Sequence, residues 1–214
     1  AIPPPHYQAY QEWIEAGRQA GMAYLARPEA LTSRSTPQQL LPGCRSVLCV
    51  GLPYSPELPL PAAEPEKVRG RIAAYATLPD YHNILASKLE ALAARLPSLT
   101  GRNVHWRTCV DTAPILEKDF AFFARLGWIG RNSLLFTPKF GSYVFLGELL
   151  TDLEMEPDEP LQGDPCAQCY QCVQACPTRA LLPERSVDAR RCLSYWTIEH
   201  RGPIPEELRP LLGE

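Results

Sequence analysis

The stretch CAQCYQCVQACP, Cys166 to Pro177, places four thiols within eleven residues and a proline directly after the last. Zinc sites draw on two separated pairs of ligands. Three thiols at C-x2-C-x2-C spacing, with a fourth after three more residues, form instead the bacterial ferredoxin run that holds 4Fe-4S clusters. A tight turn brings Cys166, Cys169 and Cys172 to three corners of one cubane. Cys176 begins a helix that leads away and serves the other cluster of a two-cluster fold. Zinc or free thiols are the competing reading. Cys192, in DARRCLSYW, is a fifth candidate ligand on a predicted helix, where Tyr195 and Trp196 stand three and four residues on and shield it. The alternative for Cys192 is a buried free thiol. No second cysteine run follows before Glu214, so the ligand set for two clusters is incomplete in this chain.

The remaining thiols, Cys44, Cys49 and Cys109, sit in apolar segments and read as buried structural cysteines. The opening AIPPPHYQAY has neither the basic nor the apolar region of a secretory signal. A reducing, cytoplasmic compartment is therefore expected, with thiols rather than disulfides. No apolar run approaches the about 18 residues of a membrane span. Apolar residues make up 45% of the 214 and charged residues 21%, ordinary values for a globular protein. The net charge of −3 argues weakly against a nucleic-acid partner, but its distribution is uneven. Seven acids and no bases lie between Glu148 and Asp164, while six bases face three acids from Thr100 to Gly141. That second stretch could form a basic face.

The elements that must position this chemistry read as follows. His6 to Ala26 is an amphipathic helix ending before Pro28. Ser46 to Leu52 is a buried strand, and the proline-rich LPYSPELPLPAAEPEK after it is a loop. Arg71 to Ala76 is a second strand. A long helix starts at Asp80 and carries Leu85, Leu89, Leu92 and Leu96 at helical spacing. Asn103 to Val110 and Tyr143 to Leu150 are strands. Between them DTAPILEKDFAFFARLGWIG is a helix capped by Thr112, with Pro114 in its first turn and Gly127 at its end. Alternating strands and helices predict an α/β layer. The acidic DLEMEPDEPLQGDP is a linker to a second, small domain. The division is a leading domain over residues 1–155 and a trailing one over 160–214.

Several stretches together resemble the epoxyqueuosine reductase family: MAYLARPEAL, LLPGCRSVLCVGLPY, AAYATLPDYHNIL, VDTAPILEKDFAFFARLGWIGRNSLLFTPKFGSYVFLGELLTDL, CAQCYQCVQACPTRAL and DARRCLSYWTIEHRGPIP. They span almost the whole length in the family's order. The resemblance implies an α/β (α+β) fold: a cobalamin-binding α/β domain followed by a ferredoxin-like domain with two 4Fe-4S clusters. It implies an oxidoreductase of queuosine biosynthesis and tRNA processing. Electrons from an external donor would pass through the clusters to cobalamin, and the epoxide oxygen of epoxyqueuosine in a tRNA anticodon loop would leave as water. A monomer without membrane attachment is expected. Family members run further at both ends, so the chain resembles one shortened at both, with the second cysteine motif absent. ATLPDYH also departs from the family, which more often shows a Gly-Arg pair before DYH.

Opening an epoxide leaves an oxygen that must gain protons, which calls for a general acid. The resemblance assigns it to Asp111 of VDTAP; the competing role is a helix cap. It also implies a cobalamin pocket, for which Tyr75, His82, Asn132, Ser133, Gly141 and Ser142 are candidates. Tyr75 could equally be a core aromatic. His82 reads better as a hydrogen-bonding or surface histidine than as a cobalt ligand. Asn132, Ser133, Gly141 and Ser142 also suit ordinary turns, and Trp128 could pack on the macrocycle or the core. Arg102, Arg107, Lys118, Arg125, Arg131 and Lys139 could meet tRNA phosphates or form a solvated face. Two other functions compete: a reductive-dehalogenase-like cobalamin enzyme, and a ferredoxin-type electron carrier without a substrate. Dehalogenases normally carry a twin-arginine export signal, whereas Arg190-Arg191, the one such pair here, is internal. The carrier leaves the leading residues without a role.

Overall fold

The computed structural model describes residues 4–54, 72–159 and 161–212. Its frame is a sheet in the order β1 (Ser46–Pro53), β5 (Val144–Thr151), β2 (Trp106–Cys109), with β5 antiparallel to both neighbours. The central strand is buried on both faces, which explains the near-continuous apolar run VFLGELL. Side chains alternate across it. Leu149 and Phe145 pack against Leu85 and Leu89 of α3 (Tyr81–Ala93), while Leu146 and Leu150 belong to the clusters on the opposite side. That side holds α5 (Glu117–Phe123), whose Ala121 is fully buried against Cys49 and Leu135. Helices on both faces of a sheet bear out the α/β layer; all strand pairs among the described residues are antiparallel.

The start of α3 is set locally. The Asp80 carboxylate accepts the His82 main-chain N–H, and Leu85, Leu89 and Ala93 repeat at four-residue spacing as the buried stripe. Leu85 and Leu89 are 2% and 1% exposed, each contributing about 2 kcal/mol of burial. The approach is so close that a Cβ on Gly147 would meet Leu85 at 2.9 Å and Leu89 at 3.0 Å. The expected single long helix is broken: Leu92 is 38% exposed, and Leu96 opens α4 (Leu96–Thr100), which ends at left-handed Gly101.

Three other expectations are corrected. The helix from His6 runs only as α1 (Tyr7–Glu15), because Gly17 and Ala20 take left-handed backbone; the chain then turns, and Pro28 starts α2 (Pro28–Ser35) rather than following a helix. The strand at Arg71 to Ala76 is absent among the described residues; Ala74–Thr77 is one 3₁₀ turn. Most of the proline-rich stretch lies outside the described residues, as does Arg71. Finally, Thr112 caps no helix. Residues 111–116 are irregular and α5 begins only at Glu117. Gly127 is not its cap either. It lies so close to β4 (Leu135–Phe136), the partner of β3 (Trp128–Ile129), that a Cβ would fall 1.9 Å from the Phe136 carbonyl.

The trailing segment has one short α-helix, α6 (Gln171–Ala175), and 3₁₀ and π turns. Few apolar side chains bury it; Ala180 and Ala189 are the buried apolar residues described there. Hydrogen bonds from the leading part hold it. Arg131 donates to the carbonyls of Cys166, Ala167 and Pro183, at 3.3, 2.8 and 2.9 Å, and its guanidinium lies 4.0 Å from the Tyr170 ring centroid. Ser133 Oγ donates to the Arg185 carbonyl, Arg185 to that of Ile129, and Trp13 Nε1 to that of Val187.

Candidate active site and thiol centre

β2 ends at Cys109, buried Val110 follows, and the next residue, Asp111, has φ of 55°. That left-handed conformation is tolerated by aspartate but is not its default. The Asp111 N–H donates to Glu117 Oε1 at 2.6 Å, so the first residue of α5 fixes the bend. The Asp111 carboxylate is left 58% exposed, at the wall of a cavity of about 190 Å³. Tyr81, Glu117, Leu134, Ser142 and Phe145 share that wall.

Two sequence-predicted residues meet here directly. His82 Nε2 lies 3.2 Å from Asp111 Oδ2, and its Nδ1 lies 2.7 Å from Asp80 Oδ1. Both ring nitrogens therefore face carboxylates, which supports a hydrogen-bonding His82. Partial burial pulls the imidazole pKa down, but the two carboxylates outweigh it and the result lies above the ordinary range.

An aromatic stack closes the adjoining side. Tyr81 lies flat on Phe145, with centroids 3.9 Å apart, and Tyr54 stacks on Phe145 at 4.6 Å. Burial, then the charges of Asp111 and Glu117, push the Tyr81 hydroxyl up to about 12. Tyr75 stands edge-on to Phe145 and is 36% exposed, so it belongs to the rim of this cluster, not to a core. Leu134, Phe140 and Tyr143 are likewise exposed.

The other predicted pocket residues are placed less centrally. Ser142 lines the cavity, and Gly141 makes the left-handed turn before it, paired with Thr137. Asn132 accepts from the Leu134 N–H, and Ser133, also left-handed, bridges to Arg185. Trp128 stacks on Phe136 within the small β3–β4 sheet. Of the basic residues, Arg102, Arg107, Lys118 and Arg131 all donate to main-chain carbonyls of this chain.

Two carboxylates were not foreseen. Burial raises Glu117 to about 7, with the Asp111 N–H opposing the rise and the Asp111 charge adding to it. Glu148, on the central strand between Cys49 and Cys109, is fully buried, and neither carboxyl oxygen has a partner among the described residues. Its pKa lies well above the usual range because of burial and then the nearby Glu117. An acid inside the apolar run VFLGELL was the available signal.

In the trailing segment Asp164 accepts the Cys166 N–H, Cys169 N–H bonds back to the Cys166 carbonyl, and α6 carries Cys172. Cys176 does not begin a helix as expected but ends one, in extended backbone after α6, and the Ala180 N–H donates to its Sγ at 3.2 Å. Burial raises this thiol, but main-chain donors at Leu181, Ala180 and Thr178 and the Thr178 hydroxyl outweigh it, so it titrates below its ordinary range. Cys192 is half-buried just before the turn bearing Tyr195 and Trp196. All eight cysteines are free thiols. Among the described residues no three His, Cys, Asp or Glu side chains converge closely enough for a single metal ion. A cubane spreads its thiolate ligands over separate iron corners, and the N–H···S donor at Cys176 suits such a ligand.

Comparison with known proteins bears on both sites. Residues 34–112 match the family model described as epoxyqueuosine reductase QueG, DUF1730, and residues 165–214 match a 4Fe-4S double cluster binding domain. An epoxyqueuosine reductase of Pseudomonas aeruginosa is 41% identical over 211 residues, 97% of this chain and 57% of that relative. The structure of epoxyqueuosine reductase from Streptococcus thermophilus superposes with a TM-score of 0.85 at 32% identity, covering 95% of this chain and 53% of that one. A crystal structure of epoxyqueuosine reductase with an epoxyqueuosine-modified tRNA stem loop gives 0.86 at 30% identity, over 96% of this chain and 54% of that one. The chain thus spans little more than half the length of these relatives. No helix among the described residues is long and apolar enough to cross a membrane.

Proposed function

The chain belongs to the epoxyqueuosine reductase family, and we propose that it reduces epoxyqueuosine to queuosine in a tRNA anticodon loop, in the cytoplasm, with cobalamin and 4Fe-4S clusters as cofactors. The observation that carries this reading is the exposed Asp111 carboxylate, bent into a cavity beside a partly exposed aromatic and aliphatic rim.

The residues present fit both cofactors. Leu134 on the cavity wall, with Tyr75 and Tyr143 of the aromatic cluster joined to Phe145, leave 36–45% of their area in water, a surface that a broad, flat macrocycle would cover. Tyr75, Ser142 and the Gly141 turn would hold it, with Asn132 and Ser133 shaping the loop and His82 at its edge. Cys166, Cys169 and Cys172 would hold three corners of one cluster, and Cys176 and Cys192 would reach the other. When bound, the corrin supplies the reducing metal centre, and the clusters supply the single electrons that reach it from an external donor.

The chain's own residues supply positioning and protons. Glu117 holds the Asp111 main chain, so the carboxylate points to the cavity. The Tyr81–Phe145 stack gives that wall an apolar face beside the exposed carboxylate. Asp111 Oδ delivers a proton to the oxygen as the C–O bond breaks. Arg131 locks the thiol loop against the leading part, which fixes the cluster relative to the site. The remaining cations Arg125 and Lys139 are the candidates for tRNA phosphates.

The test is anaerobic reconstitution with iron, sulfide and cobalamin, followed by turnover of a tRNA stem loop carrying epoxyqueuosine. Expected results are about four irons per completed cluster, a corrin spectrum, and queuosine as product. A chain that takes up iron and no corrin would instead support the electron-carrier reading.

A further inference from the structure

Reducing an epoxide to an alkene takes two electrons and two protons and releases water. A single carboxyl carries one proton. On the proposed function, Asp111 must therefore be reloaded once within each turnover. Asp111 has one imidazole in contact: His82 at 3.2 Å, reaching across from the start of α3. That ring is held on its other side by Asp80, at 2.7 Å, and stacked on Tyr81 at 4.1 Å. It is also 37% exposed, so water reaches it.

We propose that His82, oriented by Asp80, is the relay that reloads Asp111 with protons from solvent. In the step the Nε2–H bond of the imidazolium breaks and an O–H bond forms at Asp111 Oδ2. The ring is left neutral, its Nδ1–H on Asp80, and water reprotonates Nε2. The electrons for the epoxide come from the external one-electron donor and do not pass through this relay. His82 acts through Asp111 and is a positioning and proton-supply residue, not one that touches the substrate. The groups facing it are Asp80 on its own helix cap, Asp111 from the end of β2, and the Tyr81 phenol, with Glu117 behind Asp111. The upward shift of the His82 pKa by its carboxylates keeps a fraction of the ring charged near neutral pH.

The test has two arms on this full chain. In the first, the His82 ring is followed by NMR through a pH titration without cofactors. Its midpoint should drop in both Asp80→Asn and Asp111→Asn; a midpoint unmoved by Asp111→Asn overturns the contact and the relay with it. In the second, turnover is measured after reconstitution. His82→Gln should lower kcat by about tenfold or more with little change in KM, and added imidazole should restore part of it, since proton-transfer groups supply factors of this order. Wild-type turnover beside a His82→Gln variant with unchanged kcat and pH profile sinks the relay alone. Absence of wild-type turnover sinks the proposed function, and the titration still decides the contact.

Discussion

Cysteine has opposite roles in the two parts of this molecule. In the leading layer Cys49 on β1 and Cys109 on β2 flank Glu148 of the central strand, and burial raises both thiols, Cys109 to about 12. In the trailing segment Cys176 is served by main-chain donors and titrates below its ordinary range. Buried thiols pack as small apolar groups, whereas thiols given N–H donors are ready to become thiolate ligands. Stability divides the same way. Leu85, Leu89 and Leu149 form an apolar core under the sheet, while the thiol loop relies on donors reaching out from that core, Arg131 foremost.

The sharpest way to break this contrast is paired removal of thiols. Cys172→Ser should abolish at least one cluster, lowering bound iron by about four per chain. Cys109→Ala should leave the iron count unchanged and cost about 1 kcal/mol of stability through the cavity it makes. Iron and sulfide assays with thermal melts check both, and equal iron loss in the two variants would erase the distinction. Next, Arg131→Ala should loosen the thiol loop by about 2 kcal/mol, the scale of a charged hydrogen-bond donor removed from its acceptors. Hydrogen exchange should rise across residues 164–183 and stay unchanged in α3. The smallest effect concerns Glu148. Its folded-state pKa is raised, so the folded chain keeps a proton that the unfolded chain releases above the ordinary value of 4.5. Stability therefore falls as pH rises above the ordinary carboxylate range, with Glu117 adding to the fall until its own value of about 7. Glu148→Gln should flatten that slope, gaining a few degrees of Tm at pH 8 relative to pH 5. A slope identical to wild type would mean that Glu148 does not hold the proton.

Strong local signals survived into the fold. β2 falls within the run that predicted it, β1 and β5 overlap theirs and extend one residue further, and Asp80 caps α3 as its position suggested. Weaker ones did not. Gly17 and Ala20 end α1 early, and Glu117 takes the Asp111 N–H before a helix can start at Thr112. At the site, Asp111 and the thiol run were legible because each lies in a short motif. His82 was legible as a residue and not as a partner, since nothing in the chain's order shows that it reaches Asp111. Glu148 stood in plain view as an acid in an apolar run, but its neighbours come from β1 and β2.

The order of residues by itself made the thiol run legible as a candidate cluster loop, because its C-x2-C-x2-C-x3-C-P spacing lies within a dozen residues. It also marked β1, β2 and β5, since alternation and apolar content act within one segment, but neither β3 and β4 nor the turn at Ala74–Thr77. Only the tertiary structure decided which groups surround Asp111, whose neighbours arrive from α3, α5 and β5. It likewise decided that Arg131 is bound to the thiol loop. Side-chain encounters across such separations are set by packing of the whole layer, and packing leaves no trace in local spacing.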